Sequence, residues 1–136
     1  MTIGDIGPFL AEGEHSLGRP PWGMELVLDL VGCDPDTIAS SAALHLFDER
    51  LMPVLDMQPY GPLILHRFAL DNPRAAGYTF VRLITTSAVT IHFGELENTA
   101  YVNVFSCKPF DPDKVTAFIR DFFGAILTNT EVRYRG

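Results

Sequence analysis

From residue 24 onward, apolar and polar positions alternate in short runs, interrupted by turn residues and by two segments of helical period. MELVLDLVG (24–32) puts Leu26, Leu28 and Leu30 on one side of an extended chain, the period-two pattern of a half-buried strand. The period changes in CDPDTIASSAALHLFDERLMPVL (33–55). Here Asp34 suits a helix N-cap and Pro35 the first helical position. Ile38, Ala42, Leu46 and Leu51 form the apolar stripe, and Pro53 disturbs the helix end. GPLILHRFAL (61–70) reads as a second strand and DNPRAAG (71–77) as a turn. YTFVRLITT (78–86) and SAVTIHF (87–93) are rich in β-branched and aromatic residues and read as strands. GELENT (94–99) makes a hairpin loop before the returning strand AYVNVFS (100–106). FDPDKVTAFIRDFFGAIL (110–127) is the clearest helix: Asp111 caps it, Pro112 opens it, and Val115, Phe118, Ile119, Phe122 and Ile126 form its stripe. TEVRYR (130–135) is a closing strand.

The order β–α–β–β–β–β–α–β, with hairpin-linked strands between the helices, predicts an α+β fold. Its form is a two-layer sandwich, a mostly antiparallel sheet with both helices on one face. Residues 1–23 carry five glycines and three prolines and read as an irregular N-terminal arm, docked through Phe9 and Trp22. The remainder, 24–136, is one domain of a size that supports a hydrophobic core. An internal echo pairs Cys33 and Asp34-Pro35-Asp36 with Cys107 and Asp111-Pro112-Asp113, each ahead of a helix. Asp-Pro as a good helix opener explains the echo equally well.

Composition narrows the function. The chain is 47% hydrophobic and 20% charged, which is globular, and its net charge is −7 with only two lysines among ten basic residues. That balance argues against nucleic acid or an anionic membrane as partner, because both reward clustered positive charge. No apolar run reaches the roughly 18 residues of a membrane span, and no basic-then-apolar leader opens the chain, so a cytoplasmic protein is expected. Cys33 and Cys107 are read as free thiols, and no Cys/His spacing suggests a metal site.

The chemistry-bearing residues concentrate in TTSAVTIHFGELENTAYVNVFSC (85–107). Ser87 is followed by Thr90-Ile91-His92 and then by Phe105-Ser106-Cys107. The spacings are five residues from Ser87 to His92 and twenty from Ser87 to Cys107. With GMELVLDLVGCD at the first strand and HRF at 66–68, this ordered set resembles the bacterial and archaeal S-adenosylmethionine decarboxylases, small pyruvoyl enzymes of polyamine synthesis. The likeness runs from about residue 23 to the C-terminus. No G-x-S-x-G elbow surrounds Ser87, which argues against a hydrolase triad.

The resemblance implies a cofactor made from the chain itself. The Ser87 hydroxyl would attack the Thr86 carbonyl, and elimination would leave a pyruvoyl group at the head of residues 87–136. A serine hydroxyl is a poor nucleophile unaided, so such cleavage needs a polarised peptide and a proton acceptor. By resemblance His92 assists that step, with Thr79 where the family has a serine. Cys107 returns a proton to the substrate carbon, and Phe68 stacks on the adenine of a small amino-acid-type substrate. An odd separation along one strand puts Ser87 and His92 on opposite faces. The family's two-protomer active site resolves this: one chain supplies Ser87 and Cys107, the other Thr79, His92 and Phe68. The expectation is a homodimer with shared sites, sheets face to face and helices outside.

The chain departs from the family pattern at four places. Thr86 stands for a glutamate, Ala88 for a histidine, Gly94 for an aromatic residue and Leu96 for the glutamate that grips the ribose. Glu95 and Glu97 flank the last position as substitutes. These departures keep two other readings open: the same chemistry on ornithine or arginine, and an uncleaved homologue that only binds.

Overall fold

The computed structural model describes residues 20–136. Strand β1 (Gly23–Val31) follows the alternation read from the sequence, with Met24, Leu26, Leu28 and Leu30 fully buried. Phe9 and most of the N-terminal arm lie outside the described residues. Trp22, at the near end, stacks on Phe105 at 5.9 Å between ring centroids and stays largely exposed.

The first helical segment differs from the single helix expected. It breaks into α1 (Pro35–Ile38) and α2 (Ser41–Leu55). Asp34 caps α1 by accepting from the Asp36 and Thr37 amides, and Ser40 caps α2 by accepting from the Ala43 amide at 3.1 Å. A second cap restarts the helix and rotates its buried face. Leu44, Phe47, Leu51 and Leu55 therefore point inward, while Ala42 and Leu46, expected in the stripe, are exposed. Pro53 lies inside the last turn, which closes only at Asp56 in the left-handed conformation (φ 55°).

Strand β2 (Ile64–Phe68) is a short sheet edge, followed by β3 (Gly77–Ile84), β4 (Ser87–Gly94) and β5 (Thr99–Ser106). Helix α3 (Pro112–Phe122) ends earlier than expected, because Gly124 takes a left-handed turn (φ 61°) just past its end. Ile126 consequently leaves the helical stripe, opens β6 (Ile126–Arg135) and is 66% exposed. Asp111 caps α3 as expected, accepting from the Asp113 and Lys114 amides.

All strand pairs are antiparallel, in the order β2-β3-β4-β5-β1-β6. One sheet face supplies Leu26, Leu28, Phe80, Val89, Ile91, Phe93, Val102 and Val104 to a single core. Phe47 ties the helix layer to it, with ring centroids 5.5 Å from Phe80, 5.7 Å from Phe118 and 4.8 Å from Phe123. This is the two-layer α+β sandwich read from the sequence, with three helices rather than two among the described residues. Cys33 packs in the same core, where burial pushes its thiol up to about 11. Among the described residues no helix is long and apolar enough to cross a membrane.

Beneath β3 lies a buried ion pair that sequence reasoning missed. Arg82, 4% exposed, grips both Asp48 carboxylate oxygens at 2.7 and 2.6 Å and donates to the Gly61 carbonyl at 2.8 Å. It joins β3 to α2 and to the segment after it. That segment runs alongside the end of β3: Tyr60 N–H donates to the Leu83 carbonyl, and Thr85 N–H donates to Gln58.

Candidate active site

Strands β3 and β4 are joined by two residues, Thr85 and Thr86, with Ile84 opposite Ser87. Ser87 is thus the first residue after a tight turn, and its hydroxyl lies against the Thr86 carbonyl oxygen. The Cys107 backbone N–H donates to that same carbonyl at 3.3 Å. A carbonyl held between an adjacent hydroxyl and an amide donor is polarised toward attack, and the amide stands ready for negative charge developing on the oxygen.

Register sets the rest of this end. Ser87 faces Ser106 across β4 and β5, so Cys107 follows at the edge of the same turn, half-buried and unpaired as a thiol. Ser106 is fully buried; it donates to the Thr86 hydroxyl at 3.1 Å and accepts from the Lys108 amide at 3.0 Å. The Lys108 ammonium reaches the Asp56 carbonyl at 2.6 Å.

Thr79 and His92 meet elsewhere. They pair across β3 and β4, with Thr79 Oγ1 and His92 Nδ1 hydrogen-bonded at 2.9 Å. The five-residue separation places His92 about 16 Å along the strand from Ser87 at roughly 3.3 Å per residue, and on the other face. Among the described residues that face carries no helices. Across it runs one cross-strand row, His66, Thr79, His92, Tyr101 and Asp29, joined by register from β2 to β1. His66, given no role from sequence, belongs to this row and stands 5.8 Å from the Phe68 ring. Phe68 is 52% exposed on the edge strand.

Beside His92 a cavity of about 300 Å³ is lined by Asn72, Arg74, Ala75, Gly94, Glu97, Thr99 and Tyr101. Its floor depends on bare backbone. A Cβ at Gly94 would stand 2.5 Å from Thr99 Oγ1, and one at Gly77 would collide with the Phe93 carbonyl. The two glutamates named as substitutes part company here. Glu95 is held by Arg67 through two hydrogen bonds, one of them 2.8 Å, which push the guanidinium further up from its ordinary value, with the charge of Glu95 adding to the effect. Glu97 is exposed and lines the cavity. Among the described residues no three His, Cys, Asp or Glu side chains stand close enough to hold a metal ion.

One chain therefore brings together Thr86, Ser87 and Cys107 at one end of the sheet, and Thr79 and His92, with Glu97 and Phe68 nearby, at the other. Ser106 is the residue sequence reasoning missed. The signal was available: closing the 94–99 loop on a Gly94–Thr99 pair puts Ser106 opposite Ser87 by counting.

A family model described as S-adenosylmethionine decarboxylase matches residues 24–136. The S-adenosylmethionine decarboxylase proenzyme of Clostridium botulinum strain Hall is 27% identical over 100 residues, covering 73% of this chain and 81% of its own. The proenzyme of strain Okra is 26% identical over the same shares. The crystal structure of the adenosylmethionine decarboxylase from Aquifex aeolicus superposes with a TM-score of 0.71 at 22% identity, covering 87% of this chain and 93% of that one.

Proposed function

The chain belongs to the S-adenosylmethionine decarboxylase family, and on that premise we propose that it cuts itself between Thr86 and Ser87 and then decarboxylates S-adenosylmethionine for polyamine synthesis. The observation that carries the reading is the Thr86 carbonyl, held between the Ser87 hydroxyl and the Cys107 N–H at the turn.

In the first step a bond forms from Ser87 Oγ to the Thr86 carbonyl carbon. The C–N bond to Ser87 then breaks, and the hydroxyl proton ends on the freed amine. The peptide becomes an ester with no atom gained or lost. Cys107 N–H stabilises the oxygen while it carries negative charge. In the second step the Ser87 α-proton is removed, the Cβ–Oγ bond breaks and the Thr86 carboxylate leaves. Water then replaces the nitrogen as ammonia, leaving a pyruvoyl group.

The residues present fit that group: a serine begins a strand directly after a tight turn, with a free thiol beside it. When formed, the group supplies a ketone that draws electrons from the α-carbon of a bound amine, so that CO₂ can leave. The chain's own residues supply the rest. Cys107 Sγ holds the proton that replaces CO₂. His92, oriented by Thr79, serves proton transfer at the site of a second copy, and Phe68 offers an exposed ring to the substrate base. Glu97 is the free carboxylate at the His92 cavity and the better candidate for a ribose contact, since Glu95 is committed to Arg67.

A homodimer supports this division of labour. The helix-free sheet face exposes Ile64, Phe68, Leu83 and Tyr101. Stacking two such faces would cover them and set the β3–β4 turn of one copy, from which Ser87 starts β4, against the His92 end of the other. Two unpaired thiols suit a reducing compartment, and we place the enzyme in the cytoplasm.

Release of labelled CO₂ from carboxyl-labelled S-adenosylmethionine, ornithine and arginine tests the substrate. Turnover of S-adenosylmethionine alone is expected. Turnover of ornithine or arginine alone would transfer the same chemistry to a basic amino acid. No turnover by a cleaved chain would sink the decarboxylase reading.

A further inference from the structure

Self-cleavage requires the Thr86–Ser87 peptide to keep one orientation while the hydroxyl approaches. The Cys107 N–H bond of 3.3 Å is long for that purpose, and among the described residues it is the one donor to the carbonyl besides the reacting Ser87 hydroxyl. A second restraint acts through the Thr86 side chain. Lys108 N–H donates to Ser106 Oγ at 3.0 Å, Ser106 Oγ donates to Thr86 Oγ1 at 3.1 Å, and Thr86 Oγ1 donates to the Met57 thioether at 3.5 Å.

Each hydroxyl in this chain gives its one proton and accepts one, so the direction of the relay is fixed. Ser106 is fully buried and lies directly opposite Ser87, while Met57 is 7% exposed. Water has little access to replace either partner. The relay is anchored on both sides of the turn, by the Lys108 backbone after β5 and by Met57 in the segment that braces β3.

We propose that Ser106 is a positioning residue for self-cleavage: it clamps the Thr86 side chain, and so holds the Thr86 carbonyl against Cys107 N–H and within reach of the Ser87 hydroxyl. It touches no reacting atom and acts on ester formation rather than on elimination. Thr86 is therefore the matched half of a Thr86–Ser106 pair, and its β-branched side chain limits the turn to few rotamers. This inference rests on the self-cleavage reading above.

The test is a pulse–chase of the full chain made by cell-free translation, read by denaturing gel and intact mass. The variants are Ser106→Ala, Thr86→Val, the double variant and Ser106→Thr. Misplacing a reacting group by less than an ångström slows reaction steeply, so Ser106→Ala and Thr86→Val should each mature at least about tenfold more slowly. The double variant should be no slower than the slower single, because the two residues act as one unit. Ser106→Thr keeps the hydroxyl and should recover most of the rate.

Stalled Ser106→Ala chain should resist hydroxylamine, since the block precedes the ester. Melting of each substitution in an uncleavable Ser87→Ala background separates stability from rate. Maturation of Ser106→Ala and Thr86→Val at the parental rate would overturn the proposal. So would accumulation of a hydroxylamine-sensitive ester, or loss of rate that follows melting temperature alone. Failure of the parental chain to cleave would overturn both this inference and the reading it rests on.

Discussion

If two copies build each active site, a chain lacking Ser87 and a chain lacking His92 should rescue one another. Within one chain these residues are about 16 Å apart along β4, at roughly 3.3 Å per residue, and point to opposite faces. Neither Ser87→Ala nor His92→Ala homodimers hold a complete site. A mixed dimer does: one site loses both residues, and the other keeps the serine of the His92→Ala chain and the histidine of the Ser87→Ala chain. Random pairing makes about half the dimers mixed, each with one of two sites intact, so the mixture should reach about one quarter of parental activity. Co-expression with two affinity tags, followed by tandem purification, should raise that to about one half. The assay is CO₂ release, with mass spectrometry of the subunits alongside. Only the His92→Ala chain should be cut in the mixed dimer. Activity at background in tandem-purified mixed dimers, with both homodimers folded, would refute the shared site.

Removing one member of the buried Arg82–Asp48 pair leaves the other charge without a partner, so Asp48→Ala should lose about 3–5 kcal/mol in urea unfolding. Asp48→Asn should lose less, because it keeps one acceptor. Glu97→Gln should raise KM for S-adenosylmethionine several-fold with little change in kcat if its carboxylate meets the ribose, while Glu95→Gln should act mainly on stability through Arg67. Equal KM effects from both would contradict that assignment. At pH 8 a chromogenic disulfide should titrate Cys107 quickly and Cys33 only after unfolding, since Cys33 is 2% exposed and its thiol is pushed up to about 11. The unfolded thiol loses its proton first as pH rises. The contribution of Cys33 to stability is therefore intact below about pH 9 and declines toward pH 11, so the gap between the urea midpoints of the parent and Cys33→Ala should narrow across that range.

How far the sequence could be read depended on the range of the interaction. Strand β1, both Asp-Pro caps and the α+β class follow from local periodicity and capping chemistry, and all appear in the structure. The break at Ser40 was hidden because an apolar stripe can be drawn across it; only the cap geometry rephases the helix. Thr85 and Thr86 read as strand, since β-branched residues favour extended chain, although they form the turn that presents Ser87. Ile126 fits a helical period, yet Gly124 ends the helix before it. The named residues of the candidate site were visible as a spaced set, and the opposition of Ser87 and His92 followed from strand parity. Pairings between distant positions were not visible. Arg82 with Asp48, Glu95 with Arg67 and Ser106 with Thr86 depend on register and on which loops return to the turn. The choice between Glu95 and Glu97 rested on one of these pairings.

A pyruvoyl enzyme exists only if the peptide between Thr86 and Ser87 is cut. Denaturing mass spectrometry of the purified chain measures this directly. Two chains are expected, residues 1–86 and 87–136, their masses summing to the intact value plus water and minus ammonia, with the second blocked to Edman sequencing. Ser87→Ala should remain whole. A single uncut species of 15.1 kDa after prolonged incubation of the folded parental chain would contradict the account.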